Sequence, residues 1–161
     1  MKIKKRMLFA AMSVSAPIEE TPEIEEALHK AYPDKPDLTA DMVDTTTIRL
    51  PLLKIMSHKA DQNGAPVYAY MFTYGNSYHG AEIPYVFDLA DGNDEEKSLA
   101  GQISRAWINF AKTGTPSADG MPEWEPYTRE SGATMLLDIQ PKLVYHHDQN
   151  LLSLLVPDYV Y

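Results

Sequence analysis

The stretch PVYAYMFTYGNSYHGAEIPYVFDL, residues 66–89, contains a strand pattern followed by a loop that carries a histidine. Residues 66–74 alternate in character and are rich in aromatic and other β-forming side chains, which predicts a strand. The strand is expected to end at the turn-forming residues 75–77. His79 follows directly. α/β proteins place chemistry on loops at strand ends, so His79 is either a catalytic base or an exposed or capping loop histidine.

The rest of the chain predicts several helices around a few strands. Apolar side chains recur every three or four residues from Glu95 to Lys112, which predicts the longest helix, and Gly114 and Pro116 follow in the order that ends helices. Another helix is predicted in residues 19–32, where Thr21 can cap it and Pro22 suits its first turn. Residues 38–61 predict two helices separated by a kink, residues 148–157 a last helix or turn, and residues 133–139 and 142–146 short strands. This mixture indicates an α/β fold. The strands are few for so many helices, so we expect one side of a larger structure.

The composition argues against several classes of function. The 161 residues include 14 basic and 23 acidic side chains, and the net charge of −9 repels a phosphate backbone. Nucleic acid is therefore not an expected partner. Without cysteine the chain forms neither disulfides nor thiolate metal sites. No apolar run approaches the roughly 20 residues that span a bilayer, so no membrane span is expected.

Residues 1–17 have two interpretations. A basic stretch, an apolar run and the small residues Val14, Ser15 and Ala16 imitate a secretory signal. The alternative is an amphipathic helix or an irregular chain start. Because the apolar run is short and is interrupted by Ser13 and Ser15, the second interpretation is favoured, and with it a cytoplasmic over a secreted location. The compartment is otherwise unknown from the sequence.

Three other candidate sites each have a plainer explanation. Ser77 lies in GNSYH, which lacks the last glycine of G-x-S-x-G, and a loop follows it where that motif needs a helix, so Ser77 is not predicted to be a nucleophile. Glu82 is either a partly buried carboxylate that orients the loop or an exposed charge. His146 and His147 are adjacent, so they cannot both reach one ion from a regular element. No metal or cofactor is expected, since neither H-E-x-x-H nor a phosphate-binding glycine loop occurs.

Three linked motifs give the chain a family resemblance. H-x-x-E-[LI]-P-[FY]-V-F corresponds to His79–Phe87, W-x-x-F-A-[KR]-T-G-x-P to Trp107–Pro116, and W-x-x-Y to Trp124–Tyr127. In this order they resemble the C-terminal part of the type-B carboxylesterases, the family of bacterial para-nitrobenzyl esterases and cholinesterases. The resemblance covers about residues 23–145.

The resemblance implies an α/β-hydrolase fold and the hydrolysis of a small-molecule carboxylic ester by a Ser-Glu-His triad. It implies that His79 is the triad histidine and that Glu82 is a supporting residue beside it, not the triad acid. In the hydrolase order the nucleophile and the acid precede the histidine. Since no G-x-S-x-G occurs here, both are expected upstream of Met1. Residues 1–20 are then a tail or chain start, and residues 21–161 the C-terminal sector of the hydrolase domain.

Three hypotheses follow from these patterns. The first is an esterase-family segment that supplies His79 and is inactive alone; the second is a non-catalytic module for binding or assembly; the third, without support in the sequence, is a self-sufficient small esterase. A sector of a larger sheet leaves an unpaired strand edge, here at residues 67–74, and apolar helix surface around Leu99, Ile103, Trp107 and Phe110. We therefore expect a homo-oligomer in which that strand or the N-terminal helices lie at the interface.

Overall fold

The computed structural model describes residues 18–43 and 48–158, which form two compact units. One unit contains residues 18–43 and 148–158, and the other contains residues 48–147. Residues 1–17, with their two interpretations, and the threonines at positions 45–47 lie outside the described residues. The predicted boundary at residue 20 stays a prediction.

The first unit is built on helix α1, Pro22–Ala31, and helix α5, Gln149–Leu155. Thr21 caps α1, since its hydroxyl oxygen accepts the Ile24 N–H at 3.4 Å, and Pro22 occupies the first turn as predicted. A short 3₁₀ turn, Ala40–Met42, replaces the first of the two helices predicted in residues 38–61. The buried core of this unit consists of Ile24, Ala27, Leu28, Ala31, Ala40 and Leu151.

The second unit contains a three-stranded sheet in the order β1-β2-β3. Its strands are β1, Ala69–Phe72; β2, Ala133–Leu137; and β3, Lys142–Tyr145. β1 runs parallel to β2, and β2 runs antiparallel to β3. All three predicted strands exist, but β1 is shorter than predicted. The last bond of this pairing is donated by the Thr73 N–H to the Leu137 carbonyl at 3.0 Å, beyond which β2 offers no further residue.

The helices of this unit are α2, Leu50–Asp61; α3, Ile83–Val86; and α4, Asp94–Thr113. α4 ends at Gly114, whose φ of +80° is the left-handed conformation that glycine adopts without strain. Leu99 and Ile103 of α4 pack in one cluster with Met135 and Leu137 of β2. Leu99 and Ile103 are only 2% and 0% exposed, so the expectation that these two residues form exposed apolar surface is wrong. It holds for Phe110, which is 46% exposed.

The loop between α4 and β2 joins the sheet to α2. The Trp124 indole donates Nε1–H to the Ala69 carbonyl at 3.1 Å, and the buried hydroxyls of Tyr127 and Ser57 share a hydrogen bond at 3.2 Å. The W-x-x-Y motif is thus a structural brace with both of its aromatic side chains buried. In residues 18–43 and 48–158, no helix combines the length and the apolar composition needed to cross a membrane.

Replacement of Ile103 by alanine is expected to destabilise the protein by about 2–5 kcal/mol, because it leaves a cavity between α4 and β2. Ile108→Ala is the matched control on the same helix, since Ile108 is 49% exposed; its cost is expected to be within about 1 kcal/mol. Urea unfolding followed by circular dichroism measures both changes. Equal effects of the two substitutions would contradict the packing described here.

Candidate functional site

A tightly turned loop connects β1 to α3 and carries His79. Its backbone has positive φ at Gly75 (+59°), Ser77 (+36°) and Gly80 (+81°). Positive φ is uncommon for a residue with a Cβ, so Ser77 adopts an unfavourable backbone conformation that its surroundings must stabilise. The loop therefore has a specific path and is not an extended linker.

His79 lies at the tip of this loop, after the strand and outside any helix, as predicted. Two backbone bonds fix the turn around it: the Ala81 N–H donates to the Tyr78 carbonyl at 2.9 Å, and the Ile83 N–H donates to the Gly80 carbonyl at 3.2 Å. The His79 side chain is exposed. Across residues 18–43 and 48–158, no hydrogen bond or ion pair to its imidazole is present.

Three aromatic rings hold the base of the loop against α3. Phe72 at the end of β1 and Tyr74 just after it both contact Tyr85 of α3, with ring centroids 5.0 and 6.0 Å apart. Phe72 and Tyr74 also contact each other at 6.5 Å. Burial raises the pKa of the Tyr85 phenol. We refer to Phe72, Tyr74 and Tyr85 as the aromatic clamp.

The carboxylate of Glu96 connects the clamp to α4. One oxygen, Oε1, accepts the Tyr74 hydroxyl at 3.0 Å, and the other, Oε2, accepts the Asn93 N–H at 2.9 Å. The Asn93 side chain in turn accepts the Glu96 N–H at 2.9 Å, which completes a capping box. Glu96 is not among the site residues predicted from the sequence, although the spacing of Asn93 and Glu96 before an apolar helix is the signal of such a box.

Glu82 is half-buried at the start of α3. Its backbone carbonyl accepts the N–H groups of Tyr85 and Val86, each at 3.0 Å. Its carboxylate makes no hydrogen bond with the described residues, and none joins it to His79. The pKa of the Tyr70 phenol is raised by burial and, to a smaller extent, by the negative charge of Glu82. The supporting role predicted for Glu82 stays a prediction.

A cavity of about 480 Å³ lies beside the loop. Its walls include the aromatic clamp, Ser77, Asp91 and Glu96, but His79 is not among the lining residues. The structure thus places Ser77 and His79 on one loop without joining them at a common site. Within residues 18–43 and 48–158, no group of three or more His, Asp or Glu side chains is placed to hold a metal ion.

Comparison with known proteins identifies the family. The model of the Carboxylesterase family matches residues 7–153. The chain belongs to the carboxylesterase family. It is 32% identical over 114 residues to pig (Sus scrofa) liver carboxylesterase, and the aligned region covers 61% of this chain and 20% of that protein. It is 37% identical over 95 residues to the para-nitrobenzyl esterase of Bacillus subtilis, and the aligned region covers 49% of this chain and 19% of that protein.

Solved esterase structures share the fold. An esterase from Clostridium hathewayi that hydrolyses aliphatic aromatic polyesters superposes with a TM-score of 0.71 and 26% identity over 82% of this chain and 28% of its own. A para-nitrobenzyl esterase gives a TM-score of 0.62 at 24% identity over 89% of this chain and 35% of its own, which supports the fold alone. The carboxylesterase chain thus has the α/β-hydrolase fold, and it spans about a fifth of the length of the curated relatives it matches.

Removal of the Glu96 carboxylate is expected to loosen the His79 loop. In a Glu96→Ala variant Tyr74 loses its hydrogen-bond acceptor and α4 loses half of its capping box, so amide hydrogen exchange in residues 73–82 should accelerate about tenfold. Glu95→Ala is the matched control, because Glu95 is exposed in the same helical turn. Exchange measured by mass spectrometry that is equally fast in the two variants would contradict the proposed link.

Proposed function

We propose that His79 is the general base of a serine carboxylesterase site whose nucleophile and acid come from polypeptide outside these 161 residues. The proposed substrate class is a small-molecule carboxylic ester. The family membership supports the reaction class, and the motif H-x-x-E-I-P-Y-V-F at residues 79–87 supports the choice of histidine.

The availability of the His79 imidazole carries this proposal. A triad histidine uses both ring nitrogens, one toward the serine hydroxyl and the other toward the acid. Both nitrogens of His79 have no partner among the described residues. His146 shows the contrast, since its Nε2 lies 2.7 Å from the Glu130 carbonyl and is used within the fold. Residue His79 is thus exposed on a well-defined turn with both nitrogens available.

The chemistry assigned to His79 is proton transfer in two directions. The imidazole accepts the proton of the serine hydroxyl as it attacks the ester carbonyl, and then donates it to the leaving alcohol. Glu82 is proposed to support His79 by holding the loop. Its backbone carbonyl accepts the N–H groups of Tyr85 and Val86, which starts α3 directly after the turn that contains His79. We expect its half-buried carboxylate to find a hydrogen-bond donor on the polypeptide that completes the site.

A chimaera provides the test. This chain replaces the corresponding segment of the Bacillus subtilis para-nitrobenzyl esterase, and hydrolysis of para-nitrophenyl butyrate is measured. The chimaera is expected to be active, and His79→Ala is expected to lower kcat at least about 10³-fold, because the serine loses its base. His58→Ala is the matched control, as His58 is an exposed histidine on α2. Its kcat is expected to change less than about twofold.

The chain by itself is the second control. Its hydrolysis rate is expected to equal that of its His79→Ala variant, since no nucleophile is available to the histidine. Labelling of the chimaera by a fluorophosphonate probe confirms that its serine site is folded. A His79→Ala chimaera that is labelled and keeps full activity would refute the proposal. An isolated chain that exceeds its own variant, and that a serine-directed phosphonate inhibits, would favour a self-sufficient esterase.

A second candidate function is assembly, and one observation favours it. β1 pairs only with β2 among the described residues, so its other edge presents backbone groups without a strand partner. Thr73 directs its N–H toward β2, so by strand alternation Tyr70 and Phe72 direct theirs to the open edge. We propose that a second copy of the chain pairs with this edge and forms a homodimer.

A proline at position 70 tests this interface. Tyr70→Pro removes an N–H donor at the open edge without removing a donor to β2, so it is expected to convert the dimer to a monomer. Tyr70→Ala is the matched control, because it removes the same ring but keeps the N–H, and it is expected to remain dimeric. Multi-angle light scattering at micromolar concentration measures both variants. A parent chain that is monomeric, or two variants with equal mass, would contradict the proposal.

A further inference from the structure

The turn between α2 and β1 contains the sequence Asn63-Gly64. Asn63 has a φ of +51°, a left-handed conformation that asparagine tolerates better than most residues. Both residues are exposed, and a Cβ built on Gly64 would meet no heavy atom within 4 Å. The turn therefore has open space around the peptide bond that joins these two residues.

The two groups that can react with each other in this turn are barely restrained. The backbone N–H of Gly64 makes no hydrogen bond with the described residues. Within the same part of the chain, the Asn63 side chain makes one long hydrogen bond, from Nδ2 to the Asp61 carbonyl at 3.4 Å, which leaves its carbon Cγ open to attack. Because glycine has no Cβ, its nitrogen approaches the side chain of the preceding residue with little steric hindrance.

The other four asparagines of the chain lack this combination of features. Two of them are held by their side chains: Asn93 accepts a hydrogen bond at 2.9 Å in the cap of α4, and Asn109 donates one at 2.8 Å to the loop after α4. Asn150 lies inside α5, where the backbone is helical. Asn76 is exposed on the loop after β1, but the residue that follows it is a serine, whose Cβ hinders the approach of its nitrogen.

We propose that Asn63 is a site of spontaneous deamidation in the folded protein. The Gly64 nitrogen attacks Cγ of Asn63 and loses its proton, which closes an imide ring, and Nδ2 leaves with that proton as ammonia. Water then opens the imide at one of its two carbonyl groups. One opening gives aspartate, and the other gives isoaspartate, in which the main chain runs through the side-chain carbon. Water is the only co-reactant, and neither His79 nor ester hydrolysis is involved.

Contacts on both sides of the turn keep the reaction local. At the end of α2, Arg129 Nη2 lies 2.7 Å from Asp61 Oδ2, and ahead of β1 the Tyr127 N–H donates to the Val67 carbonyl at 2.7 Å. Helix and strand are thus each anchored to the loop after α4, and the chain between them is free to change without unfolding. The product carries one more negative charge on a chain of net charge −9, and isoaspartate also lengthens the main chain between α2 and β1.

Incubation of the full chain in mildly alkaline buffer, followed by peptide mapping with mass spectrometry, tests the proposal. The peptide that contains Asn63 is expected to gain about 1 Da, and about 3 Da in water enriched in ¹⁸O, because opening of the imide incorporates one oxygen from water. The peptides that contain the other four asparagines are expected to react at least about tenfold more slowly. In urea the Asn63 peptide is expected to react within about threefold of its rate in the folded chain, since the turn gives it no protection.

Three variants identify the reacting groups. Gly64→Ala places a Cβ in open space at a residue without positive φ, so the fold is expected to be kept while the rate at Asn63 falls at least about fivefold. Asn63→Gln is expected to abolish the mass gain at this position, because the longer side chain closes a ring far less readily. Asn76→Gln is the matched control and is expected to leave the rate at Asn63 unchanged. An unchanged rate in Gly64→Ala, a folded chain that reacts faster at another asparagine, or protection of Asn63 beyond tenfold relative to urea would overturn the proposal.

Discussion

The parallel pairing of β1 with β2 is the constraint on which the second unit depends. Parallel strands cannot be joined by a hairpin, so the chain must return to the end of the sheet where β1 begins before it can start β2. Residues 73–132 make this return, and they contain the His79 loop, α4 and the W-x-x-Y brace. α4 buries Leu99 and Ile103 against β2 on the way back. His79 lies just beyond the carboxyl end of β1 because the return begins there, and in α/β sheets this is the edge where chemistry is placed.

The loop that carries His79 is held by contacts that also cap α4. Glu96 divides its two carboxylate oxygens between the cap of α4 and the hydroxyl of Tyr74, and Tyr74 packs in the aromatic clamp under the loop. A surface hydrogen bond of this kind contributes only about 1 kcal/mol to stability. Its effect on position is larger, because it joins the start of α4 to the segment directly before the turn. The catalytic role proposed for His79 would require this kind of support from rigid elements.

The sequence predicted those features that depend on neighbouring residues. α4 was predicted from the spacing of its apolar residues and from Gly114 and Pro116, and the cap of α1 from Thr21 and Pro22, since these signals act within one turn of helix. The end of β1 was predicted two residues too late, because it depends on where β2 ends, more than 60 residues further along the chain. The burial of Leu99 was missed for the same reason: its partners lie on β2.

The polar groups of the second unit divide into two sets according to whether the fold satisfies them. Ser57, Tyr127, Trp124 and His146 have partners within the unit. The imidazole of His79, the carboxylate of Glu82 and the open edge of β1 have none among the described residues, and all three belong to β1 or to the turn and helix that follow it. These three groups are the ones on which the proposed catalytic and assembly roles rest. A strand added in parallel to the open edge of β1 would end at the same rim as His79. One added strand would thus satisfy the backbone edge and bring the end of that strand, with the loop that follows it, close to the imidazole. The proposed catalytic role and the proposed assembly therefore both involve β1 and the segment that follows it.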